Sequence, residues 1–131
     1  MSEIRELEAI KQLTAEEKYA FFIEQVLENG EIWALCGEGW ASFLDDAQGV
    51  QAFPIWSDKA FAELNAVGEW EGFKATPFTV QQLMSELAPE LTQANIQLSV
   101  FKFPQDSGHL IAAEQVSNTL QNKLTSVRDK L

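Results

Sequence analysis

Apolar positions recur at helical spacing near the start of the chain. Tyr19, Phe22, Ile23 and Val26 fall on one face of a helix that Thr14 caps. Glu17 stands where it can complete a capping box, and Gly30 can take the left-handed conformation that ends the helix. Ile4, Leu7 and Ile10 predict a short helix before it. The middle of the chain changes period. Ile32–Cys36, Trp40–Leu44 and Val50–Trp56 are short apolar and aromatic runs, separated by the turns Gly37-Glu38-Gly39 and Asp45–Gly49. They read as a β-meander whose third strand is an edge, or ends, near Pro54. Ser57 is the expected cap of a helix from Asp58 to Ala66, closed by Gly68.

The second half follows a similar plan. Phe73–Phe78 reads as a strand interrupted by Pro77, and Thr79, with Gln82 in the capping-box position, opens a helix that Pro89 stops. Strict alternation from Ile96 to Phe103 predicts a strand, and His109–Ala112 returns after a turn at Gln105–Gly108. A last helix from Ala113 carries Val116, Leu120, Leu124, Val127 and Leu131 in one seam. No linker, repeat or low-complexity stretch divides the chain. The expectation is one α+β domain over residues 1–131: a mixed or mainly antiparallel sheet of five or six strands with helices packed on it.

Composition supports a folded core, since 46% of the 131 residues are hydrophobic. Twenty acidic residues against nine basic ones give a net charge of −11. That charge argues against nucleic acid and anionic membranes, which bind through Lys and Arg. It fits a soluble surface, or a docking face for a basic partner. No apolar run reaches the length of a membrane span, and the opening residues lack a secretion signal, so cytoplasm is the expected compartment.

Candidate chemistry is sparse. One cysteine, Cys36, and one histidine, His109, give no metal cluster and no disulfide within the chain, and Cys36 reads as a core residue in a strand. Asp45 and Asp46 lack the spacing of a calcium loop. No nucleophile elbow, phosphate-binding loop or dinucleotide fingerprint occurs. No catalytic, cofactor-binding or metal-binding residue is therefore expected.

The distinctive feature is aromatic. Trp33, Trp40, Trp56 and Trp70 lie close together in sequence, beside Phe43, Phe53, Phe61 and Phe73. Either they fill the core, or some form a surface hot spot. Trp40 and Trp70 have turn-like contexts, and with Trp56, Glu38, Asp45 and Asp46 they make the candidate interaction surface. Val116, Leu120, Leu124 and Val127 either pack on their own chain or form a homodimer seam.

Trp33-x-Leu35, Gly39-Trp40-Ala41, Gly49, Pro54-Ile55-Trp56, Ala62 and Gly68-Glu69-Trp70 together resemble a bacterial family, domain of unknown function 2750. The likeness continues through Leu83, Leu91, Val100-Phe101 and Gly108, covering roughly residues 15 to 124. It implies a small bacterial α+β protein and carries no functional residue. The layout is also similar to SseB-like proteins, in the step Pro54-Ile55-Trp56-Ser57-Asp58 and in the helix, strand and final helix from Thr79 onward. Phe103-Pro104 stands where that layout carries Asn-Pro. That resemblance implies a binding or accessory role.

The expected function is a non-catalytic module for a protein with a basic surface. The alternatives are a small-molecule site in a Trp-lined pocket, with Tyr19 or His109 as a polar contact, and a carboxylate-dependent enzyme.

Overall fold

The Thr14 cap forms as its sequence dictates. Its hydroxyl accepts from the Glu17 amide at 3.1 Å, and the Glu17 carboxylate accepts from the Thr14 amide at 2.9 Å. Helix α1 (Ala15–Asn29) buries Phe22, Ile23 and Val26 and ends at Gly30, whose φ is +77°. The computed structural model describes residues 12–45, 48–103 and 108–129, with side chains described as far as Leu124 in the last helix. The expected first helix, Asp46, most of the turn before His109, and the side chains of Val127 and Leu131 lie outside the described residues.

Two sheets follow. In the first, β1 (Glu31–Cys36) pairs antiparallel with β4 (Lys74–Thr79). In the second the order is β2-β3-β5-β6, from β2 (Phe43–Asp45), β3 (Val50–Ile55), β5 (Ile96–Val100) and β6 (His109–Ile111). The β3–β5 pair is parallel and the other two are antiparallel. The α+β class is as expected, but the meander is not. Its β2–β3 hairpin forms, while pairing of β1 with the next run is reduced to a bridge at Cys36 and Trp40, because β4 partners all six residues of β1. Among the described residues one main-chain bridge joins the sheets, where Trp33 and Trp56 each donate a hydrogen bond to the other at 2.8 Å.

Both strand prolines sit where the ladder asks for no donor. Pro54 was expected at an edge or near the end of its strand; β3 lies between β2 and β5 and ends at Ile55, one residue on. The Ile55 carbonyl faces β5, so by alternation Pro54 faces the other flank. On that flank β2 pairs as far as Ala52 and β1 is met only at Trp56, which leaves Pro54 in the gap. Pro77 lies opposite Trp33, whose own N–H and C=O are both turned to Trp56. Pro77 thus falls in a non-hydrogen-bonded pair and does not interrupt β4.

Helix α2 (Lys59–Leu64) is capped by Asp58, whose carboxylate accepts from the Ala60 amide at 2.9 Å; Ser57 is instead buried. A 3₁₀ turn, Gly68–Trp70, leads to β4. Thr79 and Gln82 complete a second capping box at α3 (Val80–Gln82). Pro89 does not stop this helix. A π-turn, Leu83–Leu87, precedes α4 (Ala88–Gln93), with the Ala88 amide donating to the Leu83 carbonyl. The wider turn makes room for the proline ring in the first turn of α4, where a missing N–H is tolerated.

One apolar cluster runs from Phe22 to Leu120. Strand β5 is buried on both faces, with Leu98, Ser99 and Val100 all at 0% exposure. The expected alternation stops at Phe101, whose φ of +55° turns its ring into the core, edge-on to Phe22 and Phe61. Helix α5 (Ala113–Asp129) buries Ala113, Val116 and Leu120, and Leu124 emerges to solvent. Val116 and Leu120 are therefore packed within their own chain. Leu120→Ala should cost about 2–5 kcal/mol in urea denaturation, and Leu124→Ala under about 1 kcal/mol.

Candidate functional site at Trp40

The four tryptophans part company in the fold. Trp56 is fully buried and its indole N–H donates to the Lys102 carbonyl at 2.7 Å. Trp70 is 9% exposed and packs against Phe43, with the Lys102 ammonium 5.4 Å from its ring. Trp33 is half-buried, and Trp40 is 44% exposed. Trp70 and Trp56 are thus core residues, and the expected surface set does not assemble around them. Asp45 is buried too, its carboxylate accepting from the Gln48 amide at 3.0 Å within the turn.

Trp40 is held outward by its turn. The Gly37 amide donates to the Gly39 carbonyl at 2.9 Å, and the Ala41 amide returns to the Leu35 carbonyl at 2.8 Å. One side of the indole rests on Phe53 and Phe78, with ring centroids 5.7 and 6.1 Å away. The rest borders two clefts. The first, about 520 Å³, lies between the turn Gly37-Glu38-Gly39 and the segment Glu71-Gly72-Phe73. The second, about 300 Å³, lies between Phe78 and the helical residues Gln82, Glu86, Leu87 and Glu90. Trp40 lines both. Glu38, Glu71, Glu86 and Glu90 are exposed, and no Lys or Arg is among the lining residues described.

Of the residues the sequence singled out, the structure brings Trp40 and Glu38 together. Glu71 joins them because Cys36 pairs with Lys74, which sets the ends of β1 and β4 side by side. Glu86 and Glu90 are four apart along the helical stretch that continues past Pro89, a spacing that puts them on one face. Among the described residues no group of three His, Cys, Asp or Glu side chains could hold a metal ion. Cys36 is half-buried rather than a core residue. No helix of the described residues is long and apolar enough to cross a membrane.

The sequence matches the family described as a protein of unknown function, DUF2750, over residues 19–120. The chain belongs to the DUF2750 family. No curated protein and no solved structure matches it. The matched span of this DUF2750 protein contains Trp40 and all four cleft carboxylates, so both clefts belong to the family portion of the chain.

Tyr19 and His109, the other polar candidates, do meet. Their rings are 5.8 Å apart, and the Tyr19 hydroxyl donates to Thr119 Oγ1 at 2.9 Å. Burial raises the Tyr19 pKa, with the Thr119 bond opposing, and burial lowers that of His109, with Glu16 opposing. A histidine held below its ordinary value binds its proton more readily in the unfolded chain. Stability therefore falls as pH drops through the usual histidine range and levels off below the lowered value. His109→Gln should flatten this acid-side decline in melting temperature between about pH 7.5 and 5.

Proposed function

We propose that this DUF2750 protein is a non-catalytic binding module that takes a cationic surface of a protein partner on its Trp40 face. The observation that carries the reading is a single indole, 44% exposed, set between two clefts that hold four exposed carboxylates. Tryptophan anchors interfaces by burying a large rigid surface, and its face attracts ammonium and guanidinium groups. The net charge of −11 would steer a basic partner toward contact. The small-molecule reading keeps Trp40 as a tryptophan lining these clefts but not Trp56 or Trp70, which lie in the core. The enzyme reading gains no observation, because all four carboxylates face solvent.

Affinity capture with the wild-type chain, Trp40→Ala and Glu38→Gln/Glu71→Gln tests this. A stoichiometric basic partner should be held at about 50 mM salt, released near 300 mM, and lost from both variants. Circular dichroism should show the variants folded, since the substituted groups are exposed. A partner retained equally by all three proteins would overturn the reading.

A further inference from the structure

The Trp40 clefts also point to the form of the cationic partner, an inference that rests on the reading just given. Trp40 is the residue the two clefts share, and each cleft carries its own pair of carboxylates: Glu38 with Glu71, and Glu86 with Glu90. A cation in either cleft therefore meets two acids and the indole, and one side chain cannot occupy both. The first cleft has glycine at Gly37, Gly39 and Gly72. A Cβ built at Gly39 or Gly72 would meet nothing within 4 Å. Open space above bare main chain lets another backbone approach closely.

We infer that this face reads an extended segment bearing two cationic side chains two residues apart, Arg/Lys-x-Arg/Lys. Its backbone lies over the glycine floor, and one cation enters each of the clefts that border the indole. Alternate residues of an extended chain share a face and start about 7 Å apart. Long Arg or Lys stems can splay from that spacing so that one charge enters each of the two clefts that Trp40 lines. Adjacent residues point to opposite faces and would fill one cleft only.

Synthetic peptides with two arginines in an otherwise Gly/Ser/Thr sequence test this by calorimetry at low salt. The arginines are placed one, two, three or four positions apart, so net charge is constant. The two-apart peptide should bind at least about fivefold more tightly than the others. Glu38→Gln/Glu71→Gln and Glu86→Gln/Glu90→Gln should each weaken it by a similar factor. Gly39→Ala, at a glycine with no positive φ and open space around its Cβ, should leave the fold intact and weaken the two-apart peptide selectively.

Equal affinity for every spacing, with Trp40→Ala abolishing all of it, would overturn the paired-cation inference and leave the cationic docking face standing. A best response to the four-apart peptide would assign a helical partner and overturn it as well. Binding indifferent to Trp40→Ala would remove both.

Discussion

Replacing Trp56 by alanine should bring this protein close to unfolding. The side chain is fully buried, and loss of a core tryptophan costs about 3–5 kcal/mol in burial and cavity. Its indole N–H also donates to the Lys102 carbonyl, and losing that hydrogen bond adds about 0.5–1.5 kcal/mol. Together these approach the whole stability of a typical domain, about 5–15 kcal/mol. Trp56→Phe separates the two parts. It keeps most of the apolar volume, removes the donor, and should cost about 1–3 kcal/mol. Urea denaturation followed by circular dichroism measures both. A Trp56→Ala loss below that of Trp56→Phe would show that neither term acts as described.

Gly108→Ala should be the next most damaging change. Gly108 has a φ of +70°, and a Cβ there would lie 2.6 Å from Ser99 Oγ, 2.9 Å from the Lys102 amide and 2.9 Å from the Val100 carbonyl. Left-handed backbone costs a residue with a Cβ about 1–2 kcal/mol, and crowding in a packed region adds about 1–3 kcal/mol. Gly30→Ala is the control, because Gly30 has a φ of +77° with nothing within 4 Å of a built Cβ. It should show the conformational cost alone. Ser99→Ala placed with Gly108→Ala should recover only part of the loss, since the two main-chain atoms remain in the way. Equal losses for Gly30→Ala and Gly108→Ala would refute the steric account.

What the sequence disclosed was local. Thr14 with Glu17, and Thr79 with Gln82, are partners three residues apart, and Gly30 ends a helix by its own freedom. Such features depend on no distant segment, so they could be read directly. The partner of β1 could not, because β4 lies far along the chain and a turn at Gly37-Glu38-Gly39 pointed to the nearer strand. Pro89 misled for a related reason: its penalty is relieved by the preceding π-turn, which no residue announces. Pro54 does stand near the end of its strand, as read, whereas Pro77 was read as a break in β4 when its missing donor faces a position that forms no ladder bond.

The Trp40 face was half legible for the same cause. Trp40 and Glu38 belong to one turn and were found together. Glu71 arrives only through the β1–β4 register, and Glu86 with Glu90 only once the helix is seen to run past Pro89. Trp70, with the turn-like surroundings that made it a surface candidate, is drawn inward by Phe43 and Lys102.

Because Trp33 and Trp56 exchange both main-chain bonds, neither sheet can peel away without breaking the pair and uncovering the indole of Trp56. The two amides should exchange with deuterium only through global opening, at the slowest rates in the protein. The sheets then melt as one cooperative unit. A partner gripping Trp40, just beyond the end of β1, would raise the protection of β5 and β6 on the far side of the molecule as much as that of the strand beside it.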